Sequence, residues 1–396
     1  MSASKVTFIG SAAEMGGVEF STLYLASHLN PGDWEPVVVC PKEGRLASAC
    51  RDAGVSVKII SMPHLFSTSF RVSKRSDVRF PNPFSWVVNF FSVLVGAWRL
   101  NVYLSHEKPD IVVTKGMYAH FCGGLAAKVA GIKCVWHVQD FISERFFGIY
   151  RVIFGILARL FPDVIAVDGG SIARQLPAQI RSRVSLVFNG VDIQIFRPGL
   201  DGSSIRKQLA IASKEIVIGH AARITPWKGQ HHLLEAFGKV ACNHPEMRLL
   251  FVGAPIFDND GYDQRLRTRV DELKLNHRVI FAGFRPDLAN VLSAMDIFAY
   301  PSLEKDTSPL ALLSAMACGL PILAFDIEGV REVIDESGML IPVGDDNKMA
   351  DALDLLVRDI SFRNQLANRS REKAVRQFSL ERYVVEMEAV LLRGLA

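Results

Sequence analysis

Tyr300-Pro-Ser-Leu-Glu-Lys-Asp-Thr-Ser-Pro-Leu-Ala-Leu-Leu-Ser-Ala-Met-Ala-Cys-Gly-Leu-Pro321 is the stretch on which the fold turns. It reads as the end of a buried strand (Ile297–Tyr300), a loop with two acids, a helix, and the start of a second strand (Pro321–Phe325). Ser308 suits an N-cap and Pro309 the first helical position. Leu310, Ala311, Leu312, Leu313 and Met316 make the helix apolar enough to be buried. Strand, loop, helix and strand in this order build a parallel α/β sheet. The helix N-terminus presents backbone N–H groups without intrahelical partners, at the positive end of the macrodipole, which suits a phosphate. Glu304 and Asp306 beside it can accept hydrogen bonds from hydroxyls. Phosphate and polyol together point to a nucleotide sugar.

The same alternation runs outward in both directions. Upstream, Val6–Gly10, Pro36–Cys40, Val55–Ile60, Ile111–Thr114, Lys133–Val138, Val164–Val167 and Val184–Phe188 read as strands, with helices such as Val18–Leu29 and Tyr118–Ala130 between them. A second series comprises Ile216–Ala221, Arg248–Gly253, Val279–Gly283, Ile297–Tyr300, Pro321–Phe325 and Gly338–Pro342. The expected fold class is α/β: two Rossmann-like, doubly wound parallel sheets facing across a cleft, with ligands at the strand C-termini. The 396 residues suit two domains, each with its own core. Turn residues around Asn189 set the boundaries at 1–190, a linker 191–200, 201–376, and a helix 377–396 returning to the first domain.

Composition narrows the class. The 49% hydrophobic content and mean hydropathy of +0.20 fit fully buried parallel strands. Up to Pro198 there are 21 Lys and Arg against 14 Asp and Glu; the remainder has 24 against 27. The basic first half is either variation between surfaces or a face toward anionic lipid or a phosphorylated acceptor. Six cysteines without a C-x-x-C pair read as small buried residues of a reducing compartment. Met1 leads straight into a strand, so no signal peptide is expected and the chain is placed in the cytoplasm. Trp86–Trp98 and Phe146–Phe161 fall short of the ~20 apolar residues that span a bilayer. They read as core helices, with peripheral placement on the inner face of a membrane as the other reading.

Gly16 and Gly17, where the first strand turns into a helix, either let the backbone approach a diphosphate or simply close a tight turn. Arg223 and Lys228, just past a strand end, can neutralise a leaving diphosphate. With these cations and a helix N-terminus available, no metal is required. Asp258-Asn-Asp260 has the look of an Asp-x-Asp metal motif but lies in a polar loop and is read as solvated. His137, at the end of a strand, is expected to point into the cleft.

Five segments, in order, resemble family 4 of the glycosyltransferases, retaining nucleotide-sugar enzymes of the GT-B fold. They are Met15-Gly-Gly-Val-Glu19, Asn189-Gly-Val-Asp192, Ala222-Arg-Ile-Thr-Pro-Trp-Lys-Gly229, Phe281-Ala-Gly-Phe284 and Tyr300–Pro321. The resemblance implies that Arg223 and Lys228 hold the diphosphate and that His137 contacts the donor sugar or its phosphate. It implies that Gly283 and Phe284 hold the nucleobase, with packing as the alternative for Phe284. Thr307, Ser308, Pro309 and Leu310 fall at the donor-binding helix start. The family's Glu-x7-Glu is changed: Asp306 stands at the first Glu and Ser314 at the second. Asp306 keeps a carboxylate with one methylene less of reach, and Glu304 lies nearby to cover the shortfall. Ser314 offers the ribose one hydroxyl, and losing a charged hydrogen bond typically costs about 1.5–3 kcal/mol.

The resemblance implies transfer with retention on one face, the leaving diphosphate helping to deprotonate the acceptor hydroxyl, with domain closure assembling the site. Expected partners are a nucleotide-sugar donor (a UDP-sugar first, GDP-mannose next), a glycan or lipid-linked acceptor, and an anionic membrane surface, but no nucleic acid. A sugar-nucleotide epimerase would need further acid–base groups. A non-catalytic sugar-nucleotide-binding subunit is the other reading, suggested by Ser314.

Overall fold

The computed structural model describes residues 3–67, 69–71, 79–142, 148–255, 261–304 and 306–396. In chain order the first part runs β1 (Ser4–Gly10), α1 (Gly17–His28), β2 (Trp34–Cys40), α2 (Arg45–Asp52), β3 (Ser56–Ile59), β4 (Ser69–Arg71), β5 (Arg79–Pro81), α3 (Pro83–Glu107), β6 (Ile111–Lys115), α4 (Met117–Ala130), β7 (Lys133–Val138), α5 (Ile149–Leu160), β8 (Val164–Val167), α6 (Gly170–Gln175) and β9 (Val184–Leu186). It continues with α7 (Ser203–Gln208), β10 (Ile216–Ala221), α8 (Gln230–Val240), β11 (Met247–Val252), α9 (Tyr262–Glu272), β12 (Val279–Phe281), α10 (Leu288–Ser293), β13 (Ile297–Tyr300), α11 (Leu310–Ala317), β14 (Ile322–Phe325), α12 (Glu328–Ile334), β15 (Met339–Ile341), α13 (Asp346–Arg358), α14 (Ile360–Gln377) and α15 (Leu380–Leu395).

Two compact units result: Met1–Asn189 with Glu381–Ala396, and Gly190–Leu380. The first holds a seven-stranded parallel sheet in the order β3-β2-β1-β6-β7-β8-β9. Its strands are nearly all apolar because helices cover both faces. Val38, Val39, Val112, Val113 and Val135 have no exposed surface. The stretch between Met62 and Ser105, irregular in sequence, forms the short antiparallel β4–β5 pair and then α3.

The second unit holds six parallel strands in the order β12-β11-β10-β13-β14-β15. Its core joins Leu233, Phe237, Leu249, Phe251, Leu323 and Leu353. The chain enters and leaves this unit at adjacent points: Val191 N–H donates to the Phe378 carbonyl at 2.8 Å, and Leu380 N–H to the Val191 carbonyl at 2.9 Å. Each sheet reverses its winding once, between β1 and β6 and between β10 and β13. Those reversals are where an open α/β sheet offers a crevice to a ligand.

Several expectations shift. The helix after Asp306 starts at Leu310, with Pro309 at the cap and no side-chain cap bond, so Ser308 is not its N-cap. Ser308 instead takes a left-handed φ of 40° that turns the loop into the helix. The apolar stretch centred on Trp86–Trp98 extends into a 25-residue helix, long and apolar enough by length and composition to cross a membrane. One side of it, with Gly96, Ala97, Leu100 and Leu104, is packed inside the first unit. Asp258-Asn-Asp260 lies outside the described residues, as does the start of Phe146–Phe161. Cys242 is exposed, whereas the other five cysteines are buried thiols.

Candidate functional site

In the second unit, the chain leaving β10 passes Arg223 and turns through Pro226–Lys228 before α8. Gly229 ends that turn at φ +70°, and a Cβ there would lie 1.8 Å from the Pro301 carbonyl oxygen. Only glycine lets the Lys228 turn press against the loop leaving β13. Leu303 N–H donating to the Trp227 carbonyl at 2.8 Å, and Ser302 Oγ at 3.3 Å, complete the seam. Gly253 does the same for the end of β11. Its φ is +138°, a Cβ would come within 1.9 Å of the Ala222 carbonyl oxygen, and its N–H donates to the Gly283 carbonyl at 2.7 Å. The loops carrying Arg223, Lys228, Gly283 and Asp306 are thereby fixed to one another at the β10–β13 reversal.

There the Lys228 ammonium pairs with Oδ2 of Asp306 and donates to the Tyr300 hydroxyl at 3.1 Å, lying 5.4 Å from the centre of the Tyr300 ring. The Tyr300 hydroxyl and Ser302 Oγ also donate to Oδ2 of Asp306, the latter at 3.3 Å. The two residues the resemblance assigns to diphosphate and to sugar are thus a single ion pair. Burial, reinforced by the Asp306 charge, holds the Tyr300 phenol well above its usual range, so it remains a donor. His220, at the end of β10, donates Nδ1–H to the Ala299 carbonyl at 2.9 Å and leaves Nε2 buried without a partner. Burial pulls its pKa down to about 4, so the ring is neutral at pH 7. Tyr300 and His220 escape a reading based on motifs, although a His at a strand end was the signal that singled out His137.

Thr307 and Ser308 are buried, Pro309 and Leu310 partly so, and Glu304 is exposed on the loop. Ser314 lies inside α11 at 4% exposure. Gly283 has φ +67° with nothing near its Cβ position. Phe284 is 53% exposed, so core packing does not account for it. Among the described residues, no group of three or more His, Cys, Asp or Glu is placed to hold a metal ion.

In the first unit, Gly16 precedes α1, whose Phe20 N–H returns to the Gly16 carbonyl at 2.9 Å; Gly17 has open space at its Cβ position. Below this turn lies a polar network that the sequence reading missed. Lys115, at the end of β6, is wholly buried and donates to Ser21 Oγ at 2.8 Å and to the Tyr383 hydroxyl at 3.4 Å. Gln139 Nε2 donates to Ser21 Oγ at 3.2 Å and to Asn189 Oδ1 at 2.7 Å, and Asn189 Nδ2 to Asp168 at 3.1 Å. The available signal was a lysine closing an otherwise apolar strand, Ile111-Val-Val-Thr-Lys115. His137 sits next to Lys115 in register and has no exposed surface, contrary to its expected outward aim. Neither ring nitrogen has a hydrogen-bond partner. Burial first, then Lys115 and His120, hold it well below the usual histidine range, so it is neutral.

Burial lowers the Lys115 pKa from 10.5 to about 7, against the opposing pull of Glu19 and Asp168. Between those values the unfolded chain keeps a proton that the folded chain has released. Stability therefore rises with pH across that window. The expected result is a wild-type melting temperature that climbs from pH 7 to 9.5 relative to Lys115→Met. Parallel curves for the two proteins would show that Lys115 stays charged in the fold.

Two parallel α/β units of seven and six strands, each with its polar residues at the winding reversal, define the GT-B class of glycosyltransferases. Anabaena HepE, solved in complex with UDP and glucose, aligns over 98% of this chain and 99% of its own with a TM-score of 0.82 and 21% identity. The Glycosyltransferase Family 4 model matches residues 15–195, and the model of glycosyl transferases group 1 matches residues 201–373. The chain belongs to this family and is a glycosyltransferase. It is 27% identical over 296 residues to the UDP-Gal:alpha-D-GlcNAc-diphosphoundecaprenol alpha-1,3-galactosyltransferase of Escherichia coli, covering 71% of this chain and 74% of that one. Its identity to the N-acetyl-alpha-D-glucosaminyl L-malate synthase of Bacillus anthracis is 29% over 232 residues, 58% of this chain and 59% of that one.

Proposed function

We propose that this glycosyltransferase moves a sugar from a nucleotide-sugar donor, a UDP-sugar before GDP-mannose, to a glycan or lipid-linked acceptor with retention of configuration. The observation that carries the reading is the Lys228–Asp306–Tyr300 cluster at the β10–β13 reversal, beside Arg223 and the start of α11. A donor diphosphate competes with Asp306 for the Lys228 ammonium, which frees the Asp306 carboxylate to accept hydrogen bonds from the sugar hydroxyls. Arg223, Lys228 and the N–H groups at Thr307–Leu310 stabilise the charge that builds on the leaving diphosphate, and this needs no metal. The diphosphate oxygen takes the proton of the attacking acceptor hydroxyl on the face it leaves. Gly283 with Phe284 contacts the base. The UDP-sugar preference rests on the names of the Escherichia coli relative and of the HepE complex. GDP-mannose enters through a Corynebacterium glutamicum relative named for dependence on it.

Incubation with UDP-, GDP- and ADP-sugars, followed by NMR of the anomeric proton, tests the proposal. The expected result is slow donor hydrolysis or transfer with one UDP-sugar and an anomer matching the donor. Turnover of no donor would overturn the substrate class, and an inverted anomer would overturn the single-face mechanism.

A further inference from the structure

More than half of the large hydrophobic side chains exposed among the described residues lie on α3, α4 and α5. These helices form one layer over the first sheet. A Cβ at Gly96 of α3 would lie 3.0 Å from the Tyr118 hydroxyl of α4, and Phe121 of α4 lies 6.2 Å from both Tyr150 and Phe154 of α5. The inner faces supply Ala97, Leu100, Ala126, Phe154 and Ala158 to the core. The outer face presents Phe84 (77% exposed), Phe90 (60%), Phe91 (59%) and Trp98 (64%) on α3, and Val152 (62%) and Ile156 (49%) on α5. Their spacing places them on the side of each helix opposite the buried residues. Exposed aromatic surface on this scale marks an interaction site.

Charge identifies the occupant. From Pro83 to His106, and throughout α4 and α5, there is no Asp or Glu, while Arg99, Lys128, Arg151 and Arg159 are exposed. We propose that this three-helix face docks on an anionic lipid bilayer, its aromatics seated among the acyl chains and its cations among the headgroups. A second copy fits poorly, because apposed faces would bring these cations together, and Glu107, the last residue of α3, is already paired with Lys5 at 2.7 Å. Crossing the bilayer is also excluded. Gly96, Ala97, Leu100 and Leu104 of α3 are packed inside, Tyr118 donates to the Ser92 carbonyl at 3.2 Å, and Asn101 to the Ala126 carbonyl at 3.3 Å. Only the outer side of α3 can meet lipid.

Flotation of the full chain with vesicles of phosphatidylglycerol and phosphatidylcholine, against phosphatidylcholine alone, tests this without any sugar donor. Binding should be at least about tenfold stronger to the anionic vesicles, with a blue shift of tryptophan emission that Trp98→Phe abolishes. Phe90→Ser with Phe91→Ser should lower binding about tenfold or more. So should Arg151→Glu with Arg159→Glu, which leaves the aromatics in place. Equal or absent binding to both vesicle types, or an emission shift that survives in Trp98→Phe, would overturn the proposal. So would a dimer in solution that the Phe90/Phe91 variant dissolves.

Discussion

Lys228→Ala is expected to lower kcat about 10²-fold or more, the usual consequence of removing a charge stabiliser from a transition state. The physical reason is the location of the ammonium. The seam through Gly229 and Leu303 fixes the turn that carries it, and Tyr300 and Asp306 hold it at the sheet reversal. Arg223→Ala should lose a similar factor. The ion pair complicates a single substitution, because Lys228→Ala also leaves the Asp306 carboxylate without its cation. Lys228→Ala combined with Asp306→Asn separates the two effects. If Lys228 acts on the leaving diphosphate, the double variant stays as slow as Lys228→Ala. Recovery of the rate on neutralising Asp306 would mean that the lysine serves only to balance that acid. Steady-state kinetics with the donor found active reads this directly, and near-wild-type turnover in both single variants would place the diphosphate elsewhere.

Gly229→Ala should destabilise the second unit by about 3 kcal/mol or more. The left-handed backbone accounts for about 1–2 kcal/mol of this. The remainder comes from contact, since the added methyl would meet the Pro301 carbonyl oxygen at 1.8 Å and force the Lys228 turn off the β13 loop. For a unit of this size, that is a fall of roughly 6–12 °C in melting temperature. Gly283→Ala is the control. Its φ of +67° is almost the same, but nothing lies within 4 Å of its Cβ position. It should cost only the conformational strain, about 1–2 kcal/mol. Equal losses in the two variants, measured by thermal unfolding, would show that backbone angle and not contact makes Gly229 necessary.

The alternation of apolar runs and helical patterns was enough for the two parallel sheets. Fully buried strands must be apolar along their length, and that property is local. The helix after Asp306 was legible from Leu310, Leu312, Leu313 and Met316 for the same reason. Its start was misplaced by one residue, because Ser308 adopts a left-handed turn set by the loop it closes. The long helix α3 read as too short, because Ser, Asn and Arg residues interrupt its hydropathy without interrupting its hydrogen bonds.

The sequence alone determined the class of fold, the two units, and the residue types near each strand end, because periodicity and turn chemistry act over a few neighbours. The pairing of Lys228 with Asp306 across 78 positions, and the burial of Lys115 against Ser21 and Tyr383 across 94 and 268, were decided by the tertiary structure. Parallel sheets bring strand ends together through crossovers whose lengths carry no record of which side chains will meet. Once those ends are adjacent, desolvation forces every buried polar group to find the partner that distance allows.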